Sequence, residues 1–179
     1  FIERALSLAK PNGRLGFIVP AGLATDHGCG ALRRELVRRT TVDMFLTLEN
    51  RDAVFPIHRG LKFALFTLTN GGSTTSVPVR AGVRSAETLD RIPDSGTDPD
   101  AVCLSRSLLQ RISGEQLAIP DIRSATDLDL VTQIAFSVPA LGDGAGWHLK
   151  FGRELYATDD RPHLTPDGDG LPSITGKHL

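Results

Sequence analysis

The chain has 179 residues, 40% of them apolar, and a formal net charge of −1, which is core-forming sequence for one medium domain and excludes disorder throughout. Its longest apolar runs, residues 15–19 and 63–66, are too short for a membrane-spanning helix. Cys29 and Cys103 have no CxxC partner and the histidines no metal-ligand spacing, which excludes a disulfide scaffold and a zinc module and predicts two buried free thiols in a cytoplasmic protein.

Residues 1–10 place Ile2, Ala5, Leu6 and Ala9 on one helical face, and Pro11-Asn12-Gly13 stops that helix. Residues 14–20 are short, almost wholly apolar and end at Pro20, the pattern of a parallel-sheet strand covered on both faces. Thr25 or Asp26 can cap a helix over 29–39 with Leu32, Leu36 and Val37 inward and Arg33, Arg34, Arg38 and Arg39 on a basic outer face. Strands are predicted over 42–48 and 62–68, separated by a charged loop, 49–61, that carries Val54-Phe55-Pro56-Ile57. Residues 70–76 read as a polar break and 85–100, rich in Asp, Pro, Ser and Gly, as a linker. Helices are predicted over 105–112 and 124–135, the second capped by Ser124 or Thr126 with Leu128, Val131, Thr132 and Ala135 on one face. Residues 147–156 alternate as a strand does, and 159–171 are polar and turn-rich.

Three ordered stretches resemble the N6-adenine DNA methyltransferases, above all the long enzymes of type IIG restriction-modification and related phage-defence systems. The first is Phe1-Ile2-Glu3-Arg4-Ala5-Leu6 followed by Lys10-Pro11-Asn12-Gly13-Arg14-Leu15-Gly16-Phe17-Ile18-Val19-Pro20, the second Ala31-Leu32-Arg33-Arg34-Glu35-Leu36. The third is Glu49-Asn50-Arg51, then Val54-Phe55-Pro56-Ile57-His58-Arg59, then Phe63-Ala64-Leu65-Phe66. The likeness continues more loosely through 104–134 and at Leu171-Pro172-Ser173-Ile174-Thr175-Gly176-Lys177-His178, which look like the approach to a target-recognition domain.

The resemblance implies an α/β fold: the C-terminal half of a Rossmann-like methyltransferase sheet over 1–80, a linker over 81–103, and a mostly helical connection to a recognition domain over 104–179. It implies transfer of a methyl group from S-adenosylmethionine to adenine N6 in double-stranded DNA, in the company of restriction-system subunits. Phe55, with Pro56, would line the pocket for an adenine swung out of the duplex, because chemistry on an exocyclic amine cannot proceed inside the base stack. An aromatic face there restores about 1–3 kcal/mol of stacking.

The sequence departs from that pattern in two places. It holds no Asn/Asp/Ser-Pro-Pro-Tyr/Phe motif, and no glycine-rich turn after a first strand to seat the methyl donor; Gly28-Cys29-Gly30 follows the wrong strand. With Phe1 at one end, Met44 the sole methionine and Gly176-Lys177-His178-Leu179 at the other, the chain reads as an internal piece of a longer product, inactive alone and without catalytic or cofactor-binding residues of its own. A non-catalytic DNA-binding or specificity module is the competing reading.

Charge distribution bears on both. Residues 1–80 hold 11 Lys and Arg against 6 Asp and Glu, and residues 81–179 hold 9 against 15; the basic half faces a polyanion or is simply solvated. His58 and Arg59 are candidates for phosphate contact beside the base or a solvated pair, and Arg33 and Arg34 for DNA contact or a solvated helix face. Phe55 itself is either the stacking residue or a ring that anchors its loop on the sheet. Pro20 and Ala21 end a strand at the carboxyl edge, where open α/β sheets collect ligands. Trp147 and Tyr156 are core or recognition-domain aromatics.

Overall fold

A computed structural model describes residues 1–93, 98–140, 156 and 160–164. Residues 1–140 form one compact unit. Its elements are α1 (Ile2–Leu8), β1 (Arg14–Pro20), α2 (Gly22–Thr25), α3 (Gly30–Arg39), β2 (Thr40–Glu49), β3 (Lys62–Asn70), β4 (Ser76–Val83), α4 (Glu87–Asp90), β5 (Val102–Ser105), α5 (Arg106–Ser113) and α6 (Ala125–Ser137). Five strands make one mixed sheet in the order β1-β3-β2-β4-β5. β3 is antiparallel to both β1 and β2, β2 is parallel to β4, and β4 is antiparallel to β5.

The fold is α/β, but the sheet is less parallel than the sequence suggested. β1 is an edge strand with Ile18 56% exposed, not a strand covered on both faces. Its apolar run serves to place Phe17 on β3. Phe17 and Phe45 both stand opposite Phe66 in register, with ring centroids 5.2 Å and 5.8 Å from it, so one aromatic row crosses three strands. A bulge at Asp43 makes this row possible. Alternation alone would put Val42 and Phe45 on opposite faces; the extra residue turns both into the larger core. That core is closed by Ile2 of α1, Leu36 and Val37 of α3, and Leu108 and Leu109 of α5.

β4 and β5 were not expected. β4 contains Pro78 and bends at Gly82 (φ +69°), where its pairing with β2 slips by a residue and Val83 leaves the face shared by Val77 and Val79. Val83 joins Leu46 and Leu48 in a smaller cluster on the opposite face. The expected boundaries at 80 and 103 fall inside β4 and β5, so residues 81–103 begin and end within the sheet.

Helix ends follow the sequence closely where a hydroxyl caps them. Ser105 Oγ accepts the Leu108 N–H at 3.2 Å and Ser124 Oγ accepts the Asp127 N–H at 3.1 Å. The inward face of α6 carries Leu128, Val131 and Ala135 as expected. Neither Thr25 nor Asp26 caps α3 with its side chain, because a 3-10 turn, His27–Cys29, intervenes. Asn70 closes α1 from 61 residues away: its Nδ2 donates to Ala9 O at 2.9 Å and to Lys10 O at 3.2 Å. Cys103 is exposed and Cys29 half-buried, so the thiols are free but not both buried. No helix among the described residues is long and apolar enough to cross a membrane.

Of residues 141–179, the described part is Tyr156 and residues 160–164, which include a 3-10 turn, Arg161–His163. The strand expected over 147–156 and the closing segment from 171 lie outside the described residues, Tyr156 excepted.

Candidate nucleic-acid interface

β2 ends at Glu49, and the chain then loops out and returns into β3 at Lys62. What shapes that loop is Asn50, fully buried at 0% exposure. Its Oδ1 accepts the Phe55 N–H at 2.9 Å. The two hydrogens of its Nδ2 are shared among the carbonyls of Phe55 (3.0 Å), Ile57 (3.1 Å) and His58 (3.4 Å). The Asn50 N–H donates to Leu61 O at 3.0 Å, and Ala53 takes the left-handed conformation at φ 55°. One buried amide thus holds both the N–H and the C=O of Phe55, doing for an irregular loop what a ladder does for a strand.

The Phe55 ring is half-buried and meets Phe63 edge-on, centroids 4.9 Å apart. It does anchor the loop on the sheet, on the face of the smaller cluster. Pro56, His58 and Arg59 are exposed. His58 Nδ1 accepts the Gly60 N–H at 3.1 Å, which fixes the ring within the loop. Pro20 and Ala21 lie alongside, since the Ala21 N–H donates to Lys62 O at 3.0 Å.

The arginines of α3 are elsewhere. α3 packs on the opposite face of the sheet from Phe63. Arg33 is not on an outer basic face: it is 3% exposed. Its Nε donates to Gln116 O at 2.7 Å, and its Nη1 to Leu23 O at 3.0 Å and Asp26 O at 2.9 Å. Desolvation lowers its pKa, against the favourable fields of Cys29 and Asp26. Heptad-like spacing could not show this, because the carbonyl that completes the nest is 83 residues away. Arg34 is half-buried and donates to Glu115 O at 2.8 Å. Arg38 and Arg39 flank Glu35 at 2.9 Å and 3.0 Å, just before β2 begins, and hydrogen bonds from Arg38 and Arg39 lower the Glu35 pKa. A ten-residue strand separates that end of β2 from Glu49, about 30 Å at the usual rise. The expected DNA-facing set is therefore split, and only its Phe55–Arg59 part occupies the sheet's carboxyl edge.

That edge holds a cluster the sequence did not reveal. The Glu49 side chain is 6% exposed and has four cations around it. Arg51 Nε (3.2 Å) and Arg84 Nε (3.3 Å) meet Oε2, and Lys62 Nζ (3.4 Å) and Arg123 Nη2 (3.2 Å) meet Oε1. Arg123 is tied further by Asp121, at 2.8 Å to each carboxylate oxygen. Burial pushes the Glu49 carboxyl upward, but Arg123, Lys62 and Arg51 outweigh it and hold the pKa below the ordinary 4.5. A depressed carboxyl contributes stability above its unfolded pKa and loses it as pH falls through the folded one. Glu49→Gln is accordingly expected to lower the urea midpoint at pH 7, with the gap from the parent protein closing below about pH 4.5 as the parent's Glu49 protonates. Parallel midpoints at both ends of the titration would show that the carboxylate charge is not what the cluster is built on.

Gly30, the last residue of the one candidate glycine pair, lies where the Gln116 side-chain amide occupies the space a Cβ would fill. Its missing side chain admits Gln116, not a nucleotide, and Gly28 precedes it in the 3-10 turn instead of at the end of a first strand. Gly28 and Gly30 therefore do not form a glycine-rich turn that would seat S-adenosylmethionine. Among the described residues no group of three or more His, Cys, Asp or Glu could hold a metal ion.

No model of a known protein family matches the chain, and no curated protein does. Among solved structures, a chain from work on complex assembly and conformational transition of the type I R-M system is similar at 13% identity with a TM-score of 0.46. The match covers 70% of this chain and 32% of that one, so this chain spans about a third of its neighbour's length.

Proposed function

We propose that this chain is part of a site-specific DNA methyltransferase of a restriction-modification or phage-defence system, acting on adenine N6, and that its share of the work is to receive the extruded base. The observation that carries the reading is the loop of residues 50–61. A half-buried aromatic, Phe55, is clamped at its own backbone by a buried amide, at the carboxyl edge of an α/β sheet. Rigid placement of an aromatic face is what a flipped base requires, since the enzyme must replace lost stacking without spending order at the moment of binding. Pro56 would flank the base, and His58 and Arg59 would approach its phosphates. Arg34, on the other face, contributes at most to a wider DNA track, and Arg33 drops out because it is buried. The Asn-Pro-Pro-Tyr-type strand and the S-adenosylmethionine pocket would come from another part of the polypeptide or another subunit. Double-stranded DNA and restriction-system subunits would then be the partners.

A duplex with one adenine opposite an abasic site tests this without knowledge of the recognised sequence, because an unpaired base costs less to extrude. The protein is expected to prefer it to the matched duplex, and Phe55→Ala to reduce that preference by about tenfold, the size of one stacking contact. An unchanged preference would sink the stacking assignment. DNA binding with no preference in the parent protein would favour the specificity-module reading instead.

A further inference from the structure

We infer that Arg51, Lys62 and Arg84 form a phosphate-holding site for the DNA strand whose base Phe55 receives, with Glu49 as the buried counter-charge that gathers them and Arg123 as a fixed wall. The ligand's identity rests on the DNA reading above; the cluster itself does not.

Charge is the first reason. A structural ion pair on Glu49 needs one cation, and here there are four, with Asp121 as a second carboxylate. The excess is two positive charges, and still one if exposed Asp52 beside Arg51 is included. The remaining positive charges repel one another, and an anion would relieve that repulsion. Accessibility is the second. Arg51, Lys62 and Arg84 have side chains 67%, 51% and 53% exposed while the carboxylate beneath them is 6% exposed. The negative charge is covered and the positive charges face water.

Donor geometry is the third reason. Arg51 and Arg84 meet Glu49 at Nε. Their terminal nitrogens donate no hydrogen bond to the described residues, which leaves each guanidinium edge able to make bidentate phosphate contact. Arg123, by contrast, spends its Nε and Nη2 on Asp121 and Glu49. Position is the fourth. Arg51 belongs to the Phe55 loop, and Glu49 and Lys62 pair where that loop leaves and re-enters the sheet, at the same edge as Phe55 although their neighbours Leu48 and Phe63 turn to the opposite face. A nucleotide carries its phosphate on the same unit as its base, so base wall and phosphate donors are expected at one edge of the sheet.

Binding of a short fluorescein-labelled duplex should be followed between about 50 and 200 mM salt, where the slope of log affinity against log salt counts phosphate contacts. Lys62→Gln and Arg84→Gln are each expected to weaken binding about three- to tenfold and to flatten the slope by about one. Both side chains are half-exposed, and thermal melts of the variants verify that they fold. Arg38→Gln, at the far end of β2, should leave the slope alone. Wild-type slopes in both cluster variants, or no duplex binding by the parent protein at the low-salt end, would overturn the site. The preference for unpaired adenine is a separate readout: it should fall in Phe55→Ala and persist in Lys62→Gln and Arg84→Gln. A failure of the stacking reading therefore shows in the first variant and a failure of the phosphate site in the other two.

Discussion

Arg33→Ala should destabilise the protein by about 3–5 kcal/mol, the cost of dismantling a buried charge network by removing one partner. Arg33 has no carboxylate; its charge is met by the carbonyls of Leu23, Asp26 and Gln116, at the junction of α2, α3 and the turn before Leu117. Truncation leaves those carbonyls facing a void beside a cavity of about 20 Å³ that Arg33 already helps to line. For a chain of this size the melting temperature should fall by roughly 10 °C or more. Arg33→Met separates the two contributions: it refills the volume but leaves the carbonyls unpaired, so it should recover the packing part of the loss and no more. A melting temperature for Arg33→Ala within a degree or two of the parent would mean that water satisfies the carbonyls and that the guanidinium is dispensable.

That burial also explains how far the sequence could be read. Local signals survived folding. The serine cap at 124, the inward face of α6 and the apolar cores of β1, β2 and β3 all depend on neighbours within a few residues. The losses came where a partner is remote or a pattern is broken. Arg33 reads as one of four outer arginines until Gln116 arrives from 83 positions away. β4 hides behind Pro78, Arg80 and Gly82; only the structure shows that Arg80 is paired with Asp98 at 2.8 Å and that Gly82 marks a bulge. The bulge at Asp43, which aligns Phe17, Phe66 and Phe45, has no signature in the residue order. At the candidate site the same division holds. Phe55 was visible as part of a segment, whereas the Glu49 cluster joins residues 35 and 74 positions apart and could not be.

Asn50→Ala is expected to cost about 2–4 kcal/mol of loop stability and to abolish most of the preference for an unpaired adenine, although Asn50 touches no DNA in the proposed arrangement. The side chain is wholly buried and serves four backbone groups of residues 55–58. Its loss strands the Phe55 N–H and C=O together, so the loop has no reason to keep the ring on Phe63. Asn50→Asp sharpens the test. It keeps the acceptor for the Phe55 N–H but turns a carboxylate toward three carbonyls, so it should fail as badly as alanine despite being isosteric. Amide hydrogen exchange at Phe55 reads the mechanism directly. In the parent protein that N–H is paired at 2.9 Å and should be slow; in both variants it should exchange at the rate of an open loop. Fast exchange with undiminished adenine preference would mean that the ring finds its place without the clamp. Slow exchange with lost preference would mean that Asn50 acts on the DNA itself. Only joint loss fits an amide that works by holding Phe55 still.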